Sequence, residues 1–182
     1  MHPSEDLACL DRFKEYGATD GMGFPAVYPP NLRQFYAPVD DIPGVLRFLL
    51  SKATESLNLC MYGFADRELA DIIKSKLMDG RVYVQLTLDS TQAAGKHERE
   101  ILAREDYPSS SIAIGRSEKG AIVHVKELII DGLILATGST NWSASGETRQ
   151  DNSLTVINDP AVAALAANRI NAIHANILRV KP

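Results

Sequence analysis

The stretch HVKELIIDGLILATGSTN, residues 124–141, decides how this chain is read. Two apolar runs, Ile122 to Ile130 and Leu133 to Thr137, flank an Asp131-Gly132 pair, the strongest short hairpin signal in the sequence. On a strand, residues two apart share a face, so His124 and Lys126 point the same way, whereas Asp131 has the opposite parity and sits at the hairpin tip. Ser139 follows eight residues after Asp131, and Asn141 two further on. Four hydrogen-bond donors or proton carriers are thereby aimed from neighbouring strand ends toward one spot.

Working outward, the flanking sequence supplies a layered α/β frame. Asp40 and Asp41 suit a helix cap, Pro43 its first turn, and Ile42, Val45, Leu46, Leu49, Leu50 and Ala53 repeat at helical spacing. Leu57 to Phe64 is apolar on both alternating faces, the pattern of a strand covered from both sides. A helix is predicted from Asp66, with Leu69, Ile72, Ile73 and Leu77 inward and Gly80 as its stop, and a strand over Val82 to Leu88. This strand, helix, strand order implies a parallel pair joined by a right-handed crossover. Residues 89–97 read as a loop, Glu98 to Asp106 as a short helix, Asn152 to Ile157 as a strand, and an alanine-rich helix runs from Pro160 to about Leu178. The predicted fold is an α/β class with a mixed β-sheet between helices on both faces, and no internal repeat. Residues 33–182 form this domain, and residues 1–32 an irregular arm rich in proline and aromatics, expected to lie on the domain surface.

With 182 residues, 45% of them hydrophobic and 23% charged, the chain has the size and composition to bury a substantial core. Its longest apolar stretch, Ala161 to Ala167, is far below the roughly 20 residues of a membrane helix. Glu5, Asp6, Asp11 and Arg12 stand where a signal peptide has its apolar region, so the expectation is a cytoplasmic protein. Cys9 and Cys60 form no metal-binding or disulfide pattern and read as small hydrophobes. The net charge of −4 lies entirely in residues 1–45, so no polybasic coat marks the surface. Lys96, His97, Arg99, Arg116 and Arg149 are scattered bases that could line an entrance for a polyanion.

The spot addressed by residues 124–141 suits a phosphodiester, which needs donors on its non-bridging oxygens, a nucleophile, and an acid for the leaving oxygen. Lys126 supplies a compact charge, Ser139 a hydroxyl and Asn141 an amide. His124 supplies the attack, since neutral imidazole is available near neutral pH and can carry a phosphoryl group. Such an imidazole needs one tautomer, normally fixed by a carboxylate. Asp151 is the candidate, with Glu147, in what reads as an exposed loop, a weaker one. Trp142 is read both as a substrate-stacking residue at the mouth of the site and as a core residue.

His124-Val125-Lys126, Asp131, Gly138-Ser139 and Asn141 match the signature of the phospholipase D superfamily at every position and spacing, and the chain resembles that family over about residues 33–180. The resemblance implies a phospholipase D-like fold with one motif per chain. It implies a phosphohistidine at His124, phosphate binding by Lys126, Ser139 and Asn141, a structural Asp131, and His124 oriented by Asp151. Family chemistry uses two such motifs, one histidine attacking while the other protonates the leaving group. His97-Glu98-Arg99, His174-Ala175-Asn176 and His2-Pro3 lack the pattern, so the second half is expected from another copy, across a two-fold axis. The expected protein is a homodimeric phosphodiesterase most like the short bacterial endonucleases of the superfamily, acting on nucleic acid without cofactor or metal. Phospholipid or cardiolipin hydrolysis is the alternative, although no amphipathic basic helix or lipidation signal points to stable membrane association. A catalytically silent nucleic-acid-binding module is a third reading.

Overall fold

The Asp131-Gly132 turn forms as predicted, joining β5 (Lys126–Ile130) to β6 (Ile134–Gly138). Both turn residues take positive φ, 54° and 67°, a conformation that Asp and Gly tolerate best. The computed structural model describes residues 7–16, 24–25 and 27–180. Five further strands complete a seven-stranded sheet: β1 (Leu32–Ala37), β2 (Ser56–Met61), β3 (Tyr83–Asp89), β4 (Ile112–Gly115) and β7 (Asn152–Asn158). Their order is β1-β7-β6-β5-β2-β3-β4, with β2, β3 and β4 mutually parallel and the other pairings antiparallel.

The helices are α1 (Ile42–Lys52), α2 (Arg67–Asp79), α3 (Ser90–Ala93), α4 (Lys96–Glu105), α5 (Ala144–Thr148) and α6 (Pro160–Val180). Helix α1 starts where Asp41 accepts from the Gly44 N–H, and α2 starts at an Asp66 cap and ends on left-handed Gly80. Strand parity sorts the side chains into two cores. Leu57, Leu59, Met61, Leu128 and Ile130 meet α1, α2 and α4, while Cys60, Ile129 and Leu135 meet Ala163, Ile170, Ile173 and Ile177 of α6. Each such aliphatic side chain contributes about 1.5–3 kcal/mol on full burial. The sheet is thus mixed and covered on both faces, as expected.

Several boundaries differ from the sequence reading. The strand expected from Ile122 begins at Lys126, so His124 lies in the approach to β5, and the strand expected to reach Phe64 stops at Met61. The loop expected over 89–97 contains α3 and the start of α4. Cys60 is buried as a small hydrophobe, its thiol pushed up to about 12 by desolvation, whereas Cys9 is exposed. His174 is a satisfied core histidine, 2.9 Å from the Thr87 hydroxyl, with burial pulling its imidazolium below the usual range. His2, with residues 17–23 and 26 of the arm, lies outside the described residues.

The arm, expected on the surface, enters the core. Residues Leu7–Phe13 form a 3-10 helix whose Leu7 and Leu10 are fully buried in the larger core. Beyond it, Lys14 and Asp40 form a buried ion pair at 2.9 Å against β1. The Lys14 ammonium also donates to the Gln34 carbonyl, and Asp40 accepts from the Tyr36 N–H and from the N–H groups of Glu15 and Tyr16.

Candidate active site

The motif side chains gather at one end of the sheet, where β2 and β6 finish and β5 and β7 begin; the paired residues Met61 and Lys126, and Gly138 and Leu154, mark that edge. Asp131 lies at the other end. Its carboxylate accepts from the N–H groups of Thr54, Glu55 and Ser56 and from the Thr54 hydroxyl, which ties the hairpin tip to the start of β2. Burial opposes its ionisation, but these donors outweigh that and hold the carboxyl below its usual range. The structural role expected of Asp131 fits this placement.

His124 is exposed at the approach to β5, with its ring 4.7 Å from that of Tyr62. Lys126, only 7% exposed, sits beneath it: Nζ donates to the His124 carbonyl at 3.0 Å and lies 5.1 Å from the Tyr62 ring centre. Desolvation pulls its ammonium below the usual lysine range. The pair therefore offers an accessible imidazole beside a buried ammonium held by the His124 carbonyl.

Ser139 is exposed just past β6; its hydroxyl donates to Asn152 Oδ1 at 2.9 Å and accepts from the Ser153 N–H at 3.0 Å. Asn152 in turn donates to the Gly146 carbonyl at 2.9 Å. Asp151, one residue earlier, is exposed and lines a cleft of about 550 Å³ with Ser139, Tyr16, Tyr36, Pro38 and Val39. Among the described residues no hydrogen bond joins Asp151 to His124, so the expected carboxylate–imidazole contact is not made within this chain. A one-residue step along β7 reverses the side chain, which is why Asn152 and not Asp151 turns under Ser139.

Asn141 is partly buried, and among the described residues its Oδ1 has no hydrogen-bond partner. It packs on Gly63, where an added Cβ would lie 3.2 Å from its Cβ and Cγ. Trp142 corrects one expectation. At 2% exposure, 6.1 Å from the Phe64 ring, it is a core residue and not a stacking platform at the mouth of the site. Its backbone bridges to the segment after β2, Trp142 N–H to Gly63 O at 2.9 Å and Ala65 N–H to Trp142 O at 2.6 Å. Glu147 corrects another: it lies on α5 at 1% exposure, and burial with neighbouring Asp66 pushes its carboxyl up to about 9.

Tyr62, Gly63 and Asn152 were missed from the sequence. Glycine directly after an apolar strand run signals close backbone approach, and that signal stood at Gly63. Of the scattered bases, His97 lines a second cleft, about 410 Å³, with Arg67 and Ser143–Ser145 beside the Asn141 segment.

Residues 46–174 match the family model described as cardiolipin synthase, PLD-like domain. A mitochondrial cardiolipin hydrolase of Chlamydomonas reinhardtii is 30% identical over 120 residues, 65% of this chain and 52% of that protein, so the chain spans about half the length of this curated relative. Among solved structures, NucT from Helicobacter pylori superposes with a TM-score of 0.70 at 24% identity, covering 80% of this chain and 96% of NucT. Nuc from Salmonella typhimurium, a phospholipase D family member, gives 0.68 at 19% identity, covering 80% and 94%. The hairpin and its flanks, with His124, Lys126, Ser139 and Asn141, lie inside the matched region, and the chain belongs to the phospholipase D superfamily.

Proposed function

We propose that this protein is a metal-independent phosphodiesterase that hydrolyses nucleic acid in an active site shared by two copies of the chain. The observation that carries this reading is the exposed His124 over buried Lys126, with Ser139 and Asn141 at the same sheet end. Lys126, Ser139 and Asn141 bind the non-bridging oxygens. One His124 attacks phosphorus, forming the P–N bond as the P–O bond to the leaving alcohol breaks, and the His124 imidazolium of the second copy gives that oxygen its proton. The second imidazole then takes a proton from water, whose oxygen attacks phosphorus and releases the first histidine. Asp151 orients His124, a contact that has to close on dimerisation or substrate binding.

Nucleic acid is favoured by the resemblance of the motif to the short bacterial endonucleases of the superfamily, and the match to Nuc and NucT over nearly their whole length supports the same single-motif scale. Cardiolipin or another phospholipid is the second reading, supported by the name of the algal relative. Among the described residues no helix is long and apolar enough to cross a membrane. Labelled DNA, labelled RNA and cardiolipin vesicles, incubated in excess chelator with the wild type and His124→Ala, separate the two. The expected result is nucleic-acid cleavage that survives chelation and falls by roughly 1,000-fold or more in the variant. Full activity of His124→Ala would overturn the mechanism, and hydrolysis of vesicles alone would replace the substrate.

A further inference from the structure

Glu98 on α4 is 4% exposed and belongs to none of the motif positions. One carboxyl oxygen accepts the Phe64 N–H at 2.8 Å, and the other has no partner among the described residues. Burial raises its pKa to about 7 against the opposing Phe64 N–H, and Asp89 nearby adds to the rise. A buried carboxyl with a single hydrogen bond is costly to the fold. What it grips is the segment on which the site rests. Tyr62 contacts the His124 ring, Gly63 seats Asn141, and Gly63 and Ala65 are zipped to Trp142. Asp89, fully buried, does the equivalent on the other side: its Oδ2 accepts the Val123 N–H at 2.7 Å, one residue before His124, while Oδ1 caps α3.

We propose that Glu98 is a positioning residue for phosphate binding: through the Phe64 N–H it fixes the Gly63–Phe64 peptide against which the Asn141 side chain is seated. This rests on Asn141 being a phosphate ligand, as proposed above. Without the Glu98 acceptor the 63–64 peptide is released from α4, and Asn141 loses the wall that sets its rotamer. A misplaced ligand costs substrate binding well before it costs the fold.

The test uses the full chain and inorganic phosphate as the probe. Glu98→Met keeps the volume but offers no acceptor, and Glu98→Gln keeps an oxygen for the Phe64 N–H. The side-chain amide resonance of Asn141, identified by its absence in Asn141→Ala, is expected to move in Glu98→Met and to return near its wild-type position in Glu98→Gln. The phosphate Kd is expected to rise about tenfold in Glu98→Met, yet less than about twofold when the same change is made on Asn141→Ala, because coupled residues are not additive. An unmoved Asn141 resonance, or an equal loss in both backgrounds, overturns the proposal. If Glu98→Met does not fold, Glu98→Ala carries the same comparison. Should wild-type protein bind no phosphate while the resonance still moves, the phosphate role of Asn141 fails and the brace stands.

Discussion

Three carboxyl groups in this chain sit in unlike surroundings, and their proton affinities diverge accordingly. Asp131 is surrounded by N–H donors and stays ionised, whereas Glu98 and Glu147 are buried with few donors and are pushed up to about 7 and about 9. A raised carboxyl binds its proton more tightly in the folded state than in the unfolded chain, where it titrates near 4.5. Stability therefore drains as pH rises from about 4.5 through the folded values, at no more than about 1.4 kcal/mol per pH unit for each group. Glu147 contributes this loss over the widest window. Glu147→Gln is expected to flatten the fall in Tm between pH 6 and pH 9 and to exceed the wild type at the alkaline end. Calorimetry across that range checks it, and a uniform drop at every pH would show that the carboxyl is needed for its shape alone.

At the scale of elements, β6 and β7 leave no room for a side chain where the motif glycine stands. A Cβ on Gly138 would overlap the Ser153 carbonyl oxygen and lie 3.1 Å from Leu154 Cα. Gly138→Ala is expected to cost about 1–3 kcal/mol in urea unfolding. Its phosphodiesterase activity should fall further than that loss explains, because Ser139 is displaced with the strand. The hairpin, the α1 and α2 caps and the long α6 were all legible, since Asp, Gly and Pro at the right offsets have local physical causes. Strand β1 was not, because its six residues lie among prolines, and four-residue β4 is too short to show a period. The motif residues were legible in the sequence from their spacing about one hairpin, although His124 lies just before β5 and Ser139 and Asn141 just after β6, where strand parity no longer fixes the side chains. The supports of the site were not legible. Asn152 under Ser139 and Glu98 under Phe64 depend on a one-residue register and on a helix packed across the sheet, and neither leaves a periodic trace.

For the whole molecule, the single motif makes the count of subunits a chemical question. If each active centre needs two His124 rings, randomly assorted dimers of equal parts wild type and His124→Ala should retain about one quarter of the activity of the same total amount of wild-type protein, where independent sites would retain about one half. Refolding from mixed, denatured stocks and assaying against the mixing ratio distinguishes a squared dependence from a linear one. The arm also closes part of one sheet edge. Lys14 and Asp40 occupy the Gln34 carbonyl and the Tyr36 N–H, the groups that β1 turns away from β7. An ion pair here does part of the work of an eighth strand: two of the backbone groups that would invite a neighbouring polypeptide to extend the sheet are already satisfied from within. The Gln34 carbonyl and the Tyr36 N–H are thereby closed to β-augmentation, and of the two margins of the sheet it is β4, not β1, that among the described residues carries no such internal seal from the arm.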